Sequence, residues 1–102
     1  MTSNLIRYRN HPQDADENQR LIEAVFDELS ASRPAGIRYG VLRLDGTSFQ
    51  HLVLAEDEAA RARLTGLAAF RAFQAGVRER CLEPPVGAPV VLVGGYRIFD
   101  AP

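Results

Sequence analysis

The chain is predicted to be a small α+β domain, a four-stranded antiparallel sheet in β-α-β-β-α-β order with both helices on one face. Three observations carry this. Two stretches place apolar residues at helical spacing, other stretches have the composition of strands, and Asp45-Gly46 separates two of those strands by the span of a tight hairpin. The 102 residues fit one hydrophobic core, since a separate core usually needs at least about fifty residues of its own. Residues 1–102 are therefore read as a single domain.

Asn4 to Asn10 reads as a strand, with Leu5, Arg7 and Arg9 on one side and Ile6 and Tyr8 on the other. Pro12 ends it. Asp14 to Asp16 offers N-cap residues, and Asp16 with Gln19 three positions on has the form of a capping box. In the helix that follows, Leu21, Ile22, Val25, Phe26 and Leu29 make one continuous apolar face, and Pro34 and Gly36 close it. Strands Ile37 to Leu44 and Ser48 to Ala55 then flank the hairpin, whose turn favours glycine because positive φ costs it nothing.

If Asp45-Gly46 is a two-residue loop, Leu44 faces Thr47, Leu42 faces Phe49 and Gly40 faces His51. Ile37, Tyr39, Val41, Leu52 and Leu54 then take the other face. Glu56 to Arg63 is read as a charged loop with some helical turn. A second helix runs from about Leu64 or Gly66 to Cys81, with Leu67, Phe70, Phe73, Val77 and Cys81 on its buried side. Glu83-Pro84-Pro85 is expected to stop it, and a last strand, Val90 to Phe99, is interrupted by a bulge at Gly94-Gly95.

This order is that of a ferredoxin-like domain. The two helices cover one sheet face. Neither face of the hairpin alternates cleanly to polar residues, so the open face is expected to pair with the same face of a second copy in a closed, symmetric homodimer.

Charge and composition exclude several classes of function. Hydrophobic residues make up 46% of the chain and charged residues 25%, the mixture of a soluble globular protein, and the net charge is −1 with both signs interspersed. No basic stripe tracks a phosphate backbone, so nucleic acid is not an expected partner. All twelve basic residues are arginines, a pattern that a GC-rich coding bias explains. Cys81 is the only cysteine, which rules out an intramolecular disulfide and suits a reducing cytoplasm. MTSNLIRYRN lacks the apolar core of a secretory signal, and no apolar run approaches the roughly twenty residues of a membrane span.

His51 is the leading candidate for chemistry, because a mid-strand imidazole between Phe49 and Val53 could have its proton affinity tuned for acid or base work near neutral pH. The competing role is a packed, hydrogen-bonded core histidine. His11 reads as a loop residue. Tyr8, Tyr39 and Tyr96 fall in expected strands, where a phenol packs its ring and still reaches a polar partner. Arg7, Arg38 and Arg97 could meet an anionic ligand, although rim positions on strands look the same in sequence. Glu56, Asp57 and Glu58 are read as a solvated acidic loop, and no metal is expected. No GxGxxG, Walker loop, HExxH, CxxC or nucleophile elbow occurs, so no cofactor is expected.

Gly36-Ile37-Arg38-Tyr39 at the start of the second strand, Phe49 to Glu56 in the third, and Leu67-Ala68-Ala69-Phe70-Arg71-Ala72-Phe73 in the second helix resemble the dimeric α/β-barrel superfamily, especially its antibiotic biosynthesis monooxygenase type. The resemblance covers nearly the whole chain. It implies a ferredoxin-like subunit, a dimer built through the sheets, and a pocket between sheet and helices for a small aromatic or quinone-like molecule. On that reading His51 and Tyr39 are the catalytic pair, and Tyr8, Arg38, Phe49, Phe70, Phe73 and Tyr96 are substrate-binding. Some members of that family perform oxygen chemistry without a protein-bound cofactor. The chain departs from the family in having Asp57 after Glu56, where members often carry tryptophan, and Arg63-Leu64 where they often place a histidine. A non-catalytic dimeric binding or accessory module is the alternative, and a haem-binding reading has only His51 as a well-placed ligand.

Overall fold

A computed structural model describes residues 2–98. Strand β1 spans Thr2–Asn10 and leads through a 3-10 turn at Pro12–Asp14 into α1, Ala15–Ser32. The hairpin strands are β2, Ile37–Leu44, and β3, Ser48–Ala55; then come α2, Glu58–Thr65, α3, Ala68–Ala75, and the single turn α4, Val77–Arg80, before β4, Cys81–Pro89. The strands lie in the order β2-β3-β1-β4, every neighbouring pair antiparallel. The two central strands are thus β1 and β3, so residues on them sit deepest beneath the helices. This is the ferredoxin-like arrangement that the element order implies.

The hairpin forms where expected, with a different register. Asp45 and Gly46 both take positive φ, 56° and 76°, but Thr47 joins the loop, so Leu44 pairs with Ser48 rather than Thr47. A slip of one residue exchanges which side chains share a face. Val41, not Gly40, therefore stands opposite His51, and Tyr39 stands opposite Val53. Tyr39, Val41, Phe49, His51 and Val53 all lie under the helices, while Gly40, Leu42, Leu44, Leu52 and Leu54 lie on the outer face. The alternation expected in β1 is present: Tyr8 is buried, Arg7 and Arg9 exposed.

Helix α1 buries Ile22 and Val25 and adds Leu21, Phe26 and Leu29 at the edge of the core. The anticipated capping box is absent, because Asp14 holds the N-cap position without a side-chain bond. Asp16 and Gln19 instead accept from Arg43 of β2, at 3.1 and 2.7 Å, which ties the helix start to the hairpin. The helix ends with Arg33 in the left-handed region, its N–H on the Leu29 carbonyl. Gly36 (φ 80°) then turns the chain beneath α2, where an added Cβ would stand 3.0 Å from that of Ala60.

The segment after β3 is helical rather than a loop. Asp57 accepts from the Ala60 N–H at 2.8 Å and caps α2, which accounts for the middle residue of the acidic run. The single second helix expected from Leu64 or Gly66 to Cys81 is divided at Gly66-Leu67 and again at Gly76. No side chain of its own N-cap residue, Leu67, caps α3; the Glu28 carboxylate of α1 accepts from the Ala69 N–H at 2.8 Å instead. A negative charge there satisfies an orphan donor and the positive end of the helix together. It also fixes Phe70 and Phe73 over the sheet.

The last strand is displaced toward the N-terminus by nine residues. Glu83-Pro84-Pro85 lies inside β4, not before it. Proline is tolerated because β4 is an edge strand and because the ladder is irregular there: Arg7 pairs with Val86 and Arg9 with Glu83, which leaves both prolines against Tyr8. Residues 90–98 form no strand, so the bulge expected at Gly94-Gly95 has no ladder to interrupt, and Phe99 lies outside the described residues. Leu92 and Ile98 share a surface hollow with Leu54 and Arg38, which is why Leu54 is buried on a face otherwise left open. Leu42, Leu44 and Val86 on that face are 69%, 52% and 57% exposed.

Candidate functional site

The helix-covered face carries a line of hydrogen bonds through the centre of the sheet. His51 Nε2 lies 2.8 Å from the Tyr8 hydroxyl of β1, and its Nδ1 lies 2.6 Å from the Tyr39 hydroxyl of β2. The three side chains belong to three adjacent strands, and the observed register is what puts them on one face. Asn18 of α1 donates its Nδ2 to the Tyr8 oxygen at 2.8 Å. Its Oδ1 accepts from Arg80 Nε at 2.9 Å, and Arg80 is held in turn by the Phe73 carbonyl at 2.7 Å.

These partners fix the direction of each bond. The Arg80 guanidinium only donates, so the Asn18 amide must present its oxygen to Arg80 and its NH2 to Tyr8. Tyr8, nearly fully buried, then has its own proton for His51 Nε2. The neutral imidazole carries its proton on Nδ1 and donates it to the Tyr39 oxygen. This assignment follows from the network. It leaves the Tyr39 O–H, at the wall of a cavity, without a partner in the chain of bonds.

That cavity, of about 140 Å³, lies between the sheet and α2, α3 and α4. Ile6, Tyr8, Tyr39, His51 and Val53 line it from the sheet, and Leu64, Phe70, Phe73 and Val77 from the helices. Pro85 of β4 closes one side, and Arg61, Thr65 and Gln74 supply its other polar groups. The His51 ring lies among aromatic neighbours, with centroids of Tyr8, Tyr39 and Phe73 at 5.3, 5.8 and 5.4 Å.

Burial sets the charge state. It lowers the His51 pKa to about 4, because taking an imidazolium out of water is costly. The two phenols are pushed above their ordinary range by the same desolvation. At Tyr8 the Asn18 bond offsets this in part, and at Tyr39 the proximity of Tyr8 adds to it. All three groups are therefore neutral at pH 7. The site is built to orient and share hydrogen bonds, with His51 a packed, doubly hydrogen-bonded and neutral imidazole.

Of the residues singled out in the sequence, His51, Tyr39, Tyr8, Phe70 and Phe73 line this one cavity. Phe49 does not: it is fully buried behind Tyr8, stacked on it at 5.6 Å. Arg38 neighbours Tyr39 in sequence and so points to the opposite face, where it is exposed. Tyr96 lies beyond β4 and is 88% exposed. Arg7 projects outward from β1, and Arg97 follows the last strand. Asn18, Arg80 and Arg61 were missed. Asn18 falls four residues before Ile22 and seven before Val25, so a polar residue on an apolar stripe was the available signal. For the two arginines the sequence held none. Among the described residues there is no cluster of three metal-ligating side chains, and no helix is long and apolar enough to cross a membrane.

No protein-family model matches the sequence, and no curated protein matches it. Solved structures do resemble it. A candidate antibiotic biosynthesis monooxygenase from Bacteroides thetaiotaomicron superposes with a TM-score of 0.78 at 14% identity, over 93% of this chain and 92% of that one. One from Nitrosomonas europaea gives 0.76 at 14% identity, over 90% and 89%. One from Caulobacter crescentus gives 0.74 at 18%, over 91% and 90%. At such identities the likeness shows the fold. That fold is the ferredoxin-like one, which this chain shares with these solved structures.

Proposed function

We propose that the cavity beside Tyr39 and His51 binds a small aromatic or quinone-like molecule and that the chain acts on it as a monooxygenase-like enzyme without a bound cofactor. The observation that carries this is the directed line of hydrogen bonds that ends on a free phenolic O–H inside an aromatic-lined cavity. A quinone or phenol oxygen placed against Tyr39 would accept that proton in a hydrogen bond while its ring lies between Phe70, Phe73 and Val53. Negative charge that builds on that oxygen as the ring gives electrons to dioxygen is stabilised by a donor already oriented by His51, Tyr8 and Asn18. For a hydroquinone the balance closes without another reductant. One oxygen atom enters the ring to give hydroxyquinone, and the second leaves as water with two hydrogens of the substrate.

Oxygen uptake with hydroquinone, read against the same buffer without protein, tests this. Tyr39→Phe is expected to lower turnover by about a hundredfold, the size of effect seen when a single preorganised donor is removed, with the ring still bound. His51→Ala, which frees Tyr39 to rotate, is expected to lower it as well. Absent uptake in the wild type, or turnover unchanged in both variants, defeats the enzymatic proposal. Binding without uptake favours the second reading, a non-catalytic ligand-binding module.

We infer further that the open sheet face is closed by a second copy. Leu42, Leu44 and Val86 stand exposed on it beside half-buried Leu5 and Leu52, with Gln50 and Arg7 between Leu42 and Val86, and so many apolar side chains on one sheet face are costly to leave in water. A self-complementary sheet-to-sheet contact covers it in both copies at once. With one cysteine and no disulfide, we place the protein in the cytoplasm.

A further inference from the structure

We propose that the ligand of this cavity is a single-ring aromatic acid, its acidic group paired with Arg61 and its ring oxygen against Tyr39; this rests on the cavity being the ligand site. Two observations carry it. The volume of about 140 Å³ is close to the roughly 150 Å³ of an apolar cavity that takes up one benzene. One ring fills it, and a fused pair does not fit.

The second observation is the guanidinium at its wall. Arg61 sits one turn before Leu64 on α2, so both share the face turned to the sheet. It is half-buried and lines the cavity together with Tyr39, His51 and Phe73. Among the described residues it has no ion pair and no side-chain hydrogen bond. The other arginines near the site are occupied: Arg80 by Asn18 and Phe73, Arg63 by the Ala35 carbonyl. A cation left without an anion beside an apolar cavity is matched by a ligand that brings a carboxylate, which a guanidinium holds through two parallel bonds. The polar ends of the ligand are then read at opposite sides, one by a charge and one by the Tyr39 hydroxyl.

Anaerobic calorimetric titration with 4-hydroxybenzoate and 4-hydroxybenzamide tests this, because the pair differs in charge and hardly in shape. The wild type is expected to bind the acid at least tenfold more tightly, a preference that shrinks as salt is added. Arg61→Gln is expected to bring the two to parity. Arg71→Gln, the same charge change at an exposed position away from the cavity, keeps the preference. Equal binding of both by the wild type overturns the acid and leaves the aromatic site standing. Binding of neither overturns both readings. A preference that survives Arg61→Gln overturns the assignment to Arg61, and 6-hydroxy-2-naphthoate binding as tightly as 4-hydroxybenzoate overturns the single-ring limit.

Discussion

Acidifying the protein from about pH 7 to below pH 4 is expected to remove about 3 kcal/mol of folding stability through His51 alone. The imidazole has its pKa lowered from 6.5 to about 4 in the folded state, and each unit is worth about 1.4 kcal/mol. The sign follows from which state takes up protons first. Between these two values the unfolded chain is protonated at His51 and the folded chain is not, so lowering the pH favours unfolding. The contribution is fully present above about pH 6.5, falls as the pH drops through the window, and is gone below about pH 4. Urea unfolding at a series of pH values, in wild type and His51→Gln, reads it directly. The two stability curves should converge by about 3 kcal/mol across the window, whatever the variant costs at neutral pH. Parallel curves would mean that the imidazole is solvated.

Placing glutamates at both Leu42 and Leu44 is expected to separate the proposed dimer, weakening it by more than a hundredfold. Both residues lie on the outer sheet face and are exposed in the single chain, so the substitution costs the isolated subunit little. Buried at a contact without partners, two carboxylates cost several kcal/mol, and each 1.4 kcal/mol is a factor of ten in dissociation constant. Sedimentation velocity at micromolar concentration should show a dimer for the wild type and a monomer for the double variant. A wild-type monomer, or a double variant that stays dimeric, removes the sheet face as the interface.

The element order and the inward face of β1 were legible because they rest on periodicity, which a single sequence carries in full. Tyr8 against Arg7 and Arg9, and Ile22 against Val25, needed nothing from the rest of the chain. Register was not legible. Whether Thr47 belongs to the loop or to the strand is decided by the pairing of β3 with both β2 and β1, and that one residue determines whether Tyr39 meets His51 at all. The prolines of β4 misled for a related reason. Pro84 and Pro85 look like a stop to any element, and only their place on the sheet edge, at an irregular pairing opposite Tyr8, makes them acceptable. The division of the second helix follows from Gly66 and Gly76, whose effect on a helix depends on what lies behind them.

The site divides in the same way. Phe70 and Phe73 at helical spacing and the mid-strand His51 were visible as candidates. Asn18 and Arg80, which determine where every proton in the network sits, are 62 residues apart in sequence and come together only through the packing of α1 against the end of α4. Arg61 was hidden by the reading of its segment as a loop. Charge-rich composition hid the Asp57 cap that starts a helix there and turns one arginine inward.

Nitrogen-15 NMR of the His51 imidazole, followed from about pH 8 to pH 3.5, tests the neutral hydrogen-bonded line from Asn18 to Tyr39 most directly. A single tautomer protonated at Nδ1, persisting to a titration near pH 4, is the expected result. A ring that titrates near its ordinary 6.5, or that carries its proton on Nε2, contradicts the account.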